Sequence, residues 1–347
     1  MTDARRSTEI SAFLAEHKLD EITLVPLADD ASFRRYFRVR GSGRRSVLMD
    51  APPGREDVRP FLAIADCLRG FGYSTPEILA VDPARGFVLL EDLGDDKLST
   101  LAATGQVRRT HYELAIDLLV DLHARPVQPI APPYDETLLM AELGLFVDWY
   151  VPAAAGSALS PDAASAFNDL WQRTLSAYAG SREVLVLLDY HADNLMWLED
   201  RRGLAKLGLL DFQDAVIGHP AYDLVSLLED ARLDVDVDLA EAMLSRYIAA
   251  TDRDSGAFRT AFAILGAQRN SKIIGIFTRL LARDGKPGYL ELIPRVWRYL
   301  ERDLSHPELD ELRQWYDRYV PVRLRETALA PEFARRVHES TTRDRSV

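Results

Sequence analysis

A chain of 347 residues, 47% apolar and 28% charged, can bury cores for two or three structural units and is neither a low-complexity nor a fibrous sequence. Its formal charge of -12 argues against a nucleic-acid surface, which is usually basic, and its one cysteine, Cys67, excludes an intrachain disulfide and a cysteine-rich zinc site. The first residues are charged rather than signal-like, and no later stretch is expected to reach the ~20 apolar residues of a membrane helix, so the expected compartment is the cytoplasm.

Residues 7–19 place Ile10, Phe13, Leu14 and Leu19 on one interrupted side, which predicts an amphipathic helix covering a sheet. Segments 22–27, 36–39 and 46–50 predict three strands with two reversals, one through the polar Asp-Asp-Ala-Ser at 29–32 and one through the glycines at 41 and 43. Helical spacing returns at 60–68, where a first-position proline is tolerated. An extended region follows Pro76, and apolar residues 86–90 run into the polar break Glu91-Asp92-Leu93-Gly94. The first third therefore reads as a sheet with one helix that ends in a hinge.

The turn at 29–35 has a specific use. Its backbone N–H groups, at Ser32 and Phe33, and the guanidinium of Arg34 or Arg35 can approach phosphates. The alternative is a solvated hairpin whose arginines face water. Near Leu89–Leu93 the backbone of Glu91 and Leu93 can offer adenine donors and acceptors, or the strand can simply end in an acidic turn.

From Leu101 the pattern is mostly helical. Helices are predicted at 110–123, 138–150 and 163–178, with the proline-rich stretch 127–135 as an interruption. His111 and His123 read as cap or packing residues. The aromatic run 142–150 suits sugar stacking, but its helical spacing favours core packing, with Glu142 and Asp148 as provisional substrate contacts. A helix follows Gly218 and Pro220, and its Asp223 either braces the polar centre or serves helix electrostatics. In 261–281, Gln268, Arg269 and Asn270 either recognise sugar hydroxyls or brace the bundle. Packing helices at 289–304 and 309–319 and a charged tail complete the chain.

The chemistry concentrates in 186–214, where Asp189, Asn194 and Asp211 surround a predicted hairpin of two apolar strands. Asp189 can align an acceptor hydroxyl and accept its proton, while Asn194 and Asp211 can supply oxygens to Mg2+ ions that hold the phosphates of ATP. Oxygen ligands favour magnesium over zinc. His191 is close enough in sequence to orient Asp189 or touch substrate. The other account is a polar turn with the two aspartates as caps.

These segments, together with VLMDAPP at 47–53, LLEDLGD at 89–95 and GAQRNSKIIGIFTRLL at 266–281, resemble the aminoglycoside phosphotransferase and choline kinase superfamily, and within it the bacterial anomeric N-acetylmuramate/N-acetylglucosamine kinases. The resemblance implies an α+β, protein-kinase-like fold of the aminoglycoside phosphotransferase type, with a small sheet-containing N-terminal lobe at 1–92, a hinge at 93–98, a larger helical catalytic and sugar-binding lobe at 99–330 and a charged tail at 331–347. It also implies base duty for Asp189, metal binding by Asn194 and Asp211, and ATP-dependent phosphorylation of a small amino sugar at C1 in peptidoglycan recycling, with no nucleic-acid, membrane or obligate protein partner. Two departures stand out: Leu187-Leu188-Asp189 replaces the family's HxD, and Met49 stands near where many relatives carry a third-strand lysine. A kinase for another amino sugar, aminoglycoside or amino alcohol, and a non-catalytic nucleotide-binding regulator, are the alternatives.

Overall fold

The computed structural model describes residues 3–19, 22–27, 33–41, 43 and 45–326. Ser32, most of the 29–35 turn and the 331–347 tail thus lie outside the described residues. The elements in chain order are α1 (Asp3–Glu16), β1 (Thr23–Pro26), β2 (Arg35–Arg40), β3 (Ser46–Asp50), α2 (Arg59–Gly70), β4 (Ile78–Asp82), β5 (Phe87–Glu91), α3 (Leu98–Ala103), α4 (Arg109–His123), α5 (Glu136–Leu145), α6 (Val151–Ala155), α7 (Pro161–Leu175), β6 (Val184–Val186), β7 (Leu195–Trp197), β8 (Leu207–Leu209), β9 (Val216–Gly218), α8 (Ala221–Leu228), α9 (Val237–Thr251), α10 (Ser255–Asp284), α11 (Ile293–Leu304), α12 (Asp310–Tyr319) and α13 (Val322–Arg325). The fold is α+β, and the chain divides into two compact units: 1–107 with 193–215, and 108–192 with 216–347.

The first unit is built on an antiparallel sheet of order β1-β2-β3-β5-β4. Strand β3 is buried along its whole length, because it lies inside the sheet and its side chains alternate between two covered faces. Ile10, Phe13 and Leu14 of α1 pack with Val39, Leu48, Phe87 and Leu89, so the predicted amphipathic helix does cover the sheet. Each such side chain contributes about 1.5–3 kcal/mol on full burial. Gly86 makes the turn into β5 at φ +70°, where an added Cβ would lie 1.9 Å from the Ala51 carbonyl oxygen. The hairpin of β7 and β8 belongs to this unit as well, with Leu195 opposite Leu209 and Trp197 opposite Leu207.

The second unit is mostly helical, with one short pair, β6 and β9. The aromatic run packs as core: Phe146 and Tyr150 are fully buried and stack at 5.3 Å, and Phe146 also meets Phe167, Trp297 and Tyr316. The single helix expected at 138–150 is longer and interrupted, since a π-helical turn at Phe146–Tyr150 joins α5 to α6. That run, Glu136–Ala155, is long and apolar enough to cross a membrane, contrary to the expectation that no stretch reaches that length. Here it packs on α10 so closely that a Cβ on Gly275 would sit 2.4 Å from the Leu145 carbonyl carbon. Helix α9 was not anticipated. Its signal was present in Ala240, Met243, Leu244, Tyr247 and Ile248, all buried at helical spacing, behind the N-cap Asp236.

Candidate active site

In the first unit the pairing of β7 with β8 brings together residues seventeen positions apart. Asn194 immediately precedes β7, Asp211 follows β8 by two residues, and the Leu210 N–H donates to the Asn194 carbonyl at 2.9 Å. Both residues therefore sit at one end of the predicted hairpin. Asp211 takes φ +56°, a region that aspartate tolerates better than bulkier residues, and Gln213 Nε2 donates to its Oδ1 at 2.6 Å. The next residue, Phe212, is buried and stacks on Phe61 of α2 at 5.1 Å, which anchors the turn. An amide and a carboxylate oxygen are hard donors that suit Mg2+. Among the described residues no three His, Cys, Asp or Glu side chains form a metal site by themselves.

The two candidate arginines part company. Arg35 Nε and Nη2 bind Asp50 Oδ2 at 3.0 and 2.6 Å, while Arg6 Nε reaches Asp50 Oδ1 at 2.8 Å; Asp50 is fully buried, and the two guanidinium groups compensate its charge. Arg34 instead pairs with Glu56, Nη2 to Oε2 at 3.0 Å, and the Phe33 N–H donates to Glu56 Oε1 at 3.1 Å. Burial opposes the Arg34 charge, but the Tyr36 hydroxyl and the carboxylates of Glu56, Asp214 and Asp211 hold its guanidinium more firmly protonated than usual. Met49 is buried in β3 between Tyr36 and Val88. At the end of β5, the Glu91 N–H donates to the Glu77 carbonyl at 2.8 Å, while its carboxylate accepts from the Glu77 N–H at 3.2 Å and from Arg201 Nη2 at 2.6 Å. Leu93 packs over Gly208, where an added Cβ would meet its Cδ1 at 3.1 Å.

In the second unit Asp189 follows a strained residue: Leu188 has φ +65°. A leucine there costs about 1–2 kcal/mol, and the surroundings offset it. The fully buried Asp223 of α8 accepts from the Leu187 N–H at 2.8 Å and the Leu188 N–H at 2.9 Å. Two residues beyond α8, Asp230 accepts from the Ala192 N–H at 2.9 Å, and Tyr190 donates to the Ala115 carbonyl at 2.9 Å. His123 of α4 lies with Nε2 3.7 Å from Asp223 and Nδ1 2.8 Å from the Tyr247 hydroxyl. Where the HxD histidine is missing, the 187–192 loop is gripped by α8 and its C-terminal end. Sequence reasoning left the role of Asp223 open and passed over Asp230, since both act across more than thirty residues.

His191 is buried, with Nε2 3.4 Å from Arg232 Nη1. Gln268, Arg269 and Asn270 are buried on α10, and consecutive helix residues diverge by about 100°. Gln268 Nε2 donates to Glu142 Oε2 at 3.0 Å, Arg269 Nη2 to Ser226 Oγ at 2.9 Å, and Asn270 Nδ2 to Glu229 and Asp303 at 2.6 and 2.9 Å. The last two bonds brace the bundle. Lys272, one turn after Gln268, was not singled out by the sequence; its Nζ lies 2.6 Å from Glu142 Oε1. Burial opposes its charge, while Glu142, the Tyr222 hydroxyl and Asp189 raise its pKa above the ordinary lysine range. Asp148 is exposed.

The profile of the phosphotransferase enzyme family matches residues 23–259. N-acetylmuramate/N-acetylglucosamine kinase from Caulobacter vibrioides is 36% identical over 93% of this chain and 99% of its own, and the protein of that name from Pseudomonas aeruginosa is 38% identical over 83% and 86%. Among solved structures, a choline/ethanolamine kinase family protein from Mesorhizobium loti aligns at TM-score 0.59 and 16% identity, covering 93% of this chain and all of that one. The choline kinase from Streptococcus pneumoniae gives 0.59 and 13% over the same shares. The chain belongs to the phosphotransferase enzyme family, in the branch that contains these bacterial kinases.

Proposed function

We propose that the protein transfers the γ-phosphoryl group of ATP to the anomeric hydroxyl of N-acetylmuramate and N-acetylglucosamine, giving α-1-phosphates for the recycling of cell-wall precursors in the cytoplasm. The observation that carries this proposal is the likeness to kinases of that name along nearly the full length of both chains. The Asp189 carboxylate receives the hydroxyl proton as the sugar oxygen bonds to phosphorus and ADP leaves. Its loop is fixed in advance by Asp223 and Asp230. Asn194 and Asp211 are the ligands for magnesium, which when bound neutralises phosphate charge. The backbone of Glu91 and Leu93 receives adenine, while the 32–35 segment receives the phosphates. His191 and Gln268 are the acceptor-side contacts, with Arg269 and Asn270 supporting them.

Purified protein with ATP, magnesium and each reducing sugar is expected to yield a C1 phosphate, detectable by 31P NMR. Asp189→Asn is expected to keep the fold while lowering turnover by at least ~100-fold. Absence of product from both sugars, or undiminished turnover in the variant, rejects the assignment.

A further inference from the structure

The phosphate side of this chain lacks a third-strand lysine, and the structure indicates what stands in for it. Met49 is sealed in β3 and brings no charge. Of the two arginines at the start of β2, Arg35 is bound to Asp50, whose buried carboxylate would otherwise be left with Arg6 alone. The Arg34 side chain is only 9% exposed and its partner Glu56 11%, so the pair is held out of bulk water rather than flickering on the surface. Glu56 also fixes the backbone of the preceding residue through the Phe33 N–H. One carboxylate thus sets both the path of the chain and the direction of the guanidinium. Phe212, the neighbour of Asp211, stacks on Phe61 of α2 at 5.1 Å, and Glu56 lies five residues before Phe61, so the Arg34–Glu56 pair and a candidate metal ligand are tied to the same helix within one unit.

We infer that Arg34 is the phosphate-reading cation of this protein and that Glu56, which just precedes α2, is the residue that positions it, an arginine–carboxylate clamp at the start of β2 in place of the third-strand lysine. The inference deepens the proposed function and rests on it only for the identity of the nucleotide. A guanidinium offers a planar fork to phosphate oxygens, which a thioether at position 49 cannot do. Glu56 bears on the nucleotide through Arg34, so removing its charge after Arg34 is gone should change nothing further.

The test is magnesium–ADP binding by calorimetry, alongside steady-state kinetics and thermal melting, for Arg34→Gln, Glu56→Gln, their double variant and Arg34→Lys. Arg34→Gln is expected to weaken ADP binding ~10–100-fold, and Glu56→Gln ~5–20-fold, with the KM for sugar changed less than about twofold. The double variant should bind no more weakly than Arg34→Gln alone. Arg34→Lys should recover part of the loss, and Met49→Leu should bind as the wild type does. Additive losses in the double variant, or unchanged ADP binding in a folded Arg34→Gln, overturn the inference. A wild type that binds ADP but phosphorylates neither sugar defeats the proposed function and leaves the clamp standing.

Discussion

Asp223→Asn exchanges one atom and isolates the grip on the loop that carries Asp189. The aspartate receives two backbone N–H groups, one on each oxygen, in a fully buried position. Hydrogen bonds to a buried charge contribute about 1.5–3 kcal/mol each, against ~1 kcal/mol for a neutral pair. An asparagine keeps one neutral acceptor and turns an amide N–H2 toward the other N–H, leaving that donor unsatisfied at a further cost of about 1–3 kcal/mol. The sum is a destabilisation of about 3–8 kcal/mol, or at least ~6 °C in Tm for a unit of this size. The Leu188 backbone, held at φ +65° by those two bonds, is then free to relax and carry Asp189 with it. A displacement of ~1 Å at a reacting group costs on the order of 100-fold in rate. Thermal melts and steady-state kinetics on the folded variant should show kcat reduced ~30–100-fold with the KM for ATP little changed, because the nucleotide contacts proposed above do not depend on Asp223. If kcat stays within about threefold of wild type, Asp223 braces the helix and does not position the base.

Two further outcomes follow from packing and protonation. Gly275→Ala places a methyl 2.4–2.6 Å from the backbone of Leu145 and Phe146, where no side chain can yield, and should destabilise by more than about 3 kcal/mol; a Tm within 2 °C, on the order of 1 kcal/mol, would show that α10 can move away freely. Burial, outweighing the pull of Glu183 at 3.9 Å, pushes His219 down to about 4. Above the unfolded pKa of about 6.5 neither state holds the proton; between there and about 4 only the unfolded chain gains it, so stability falls with pH by up to about 3 kcal/mol. His219→Asn keeps an acceptor for the Ala221 N–H and should flatten that limb; an unchanged slope in melts from pH 7 to 4.5 assigns the loss to other groups.

What the sequence determined by itself is local. The spacing of Ile10, Phe13 and Leu14 makes an apolar face, the runs 195–197 and 207–209 pair through a short connection, and that pairing alone carries Asn194 to Asp211. Helical periodicity, turn chemistry and hairpin register are all settled within a few neighbours, so they are legible in the chain, and the motif residues identify the family because they lie on such elements. The choice of partner was decided only in three dimensions. Arg34 and Arg35 are chemically equal in sequence; burial gives one to Glu56 and the other to Asp50. Gln268, Arg269 and Asn270 look alike as a polar cluster until the helix turns them toward Glu142, Ser226 and Glu229. Asp223 could equally have faced water until packing placed it under Leu187 and Leu188. A charge takes its meaning from what lies within a few ångströms, and that distance is set by the packing of elements far apart along the chain.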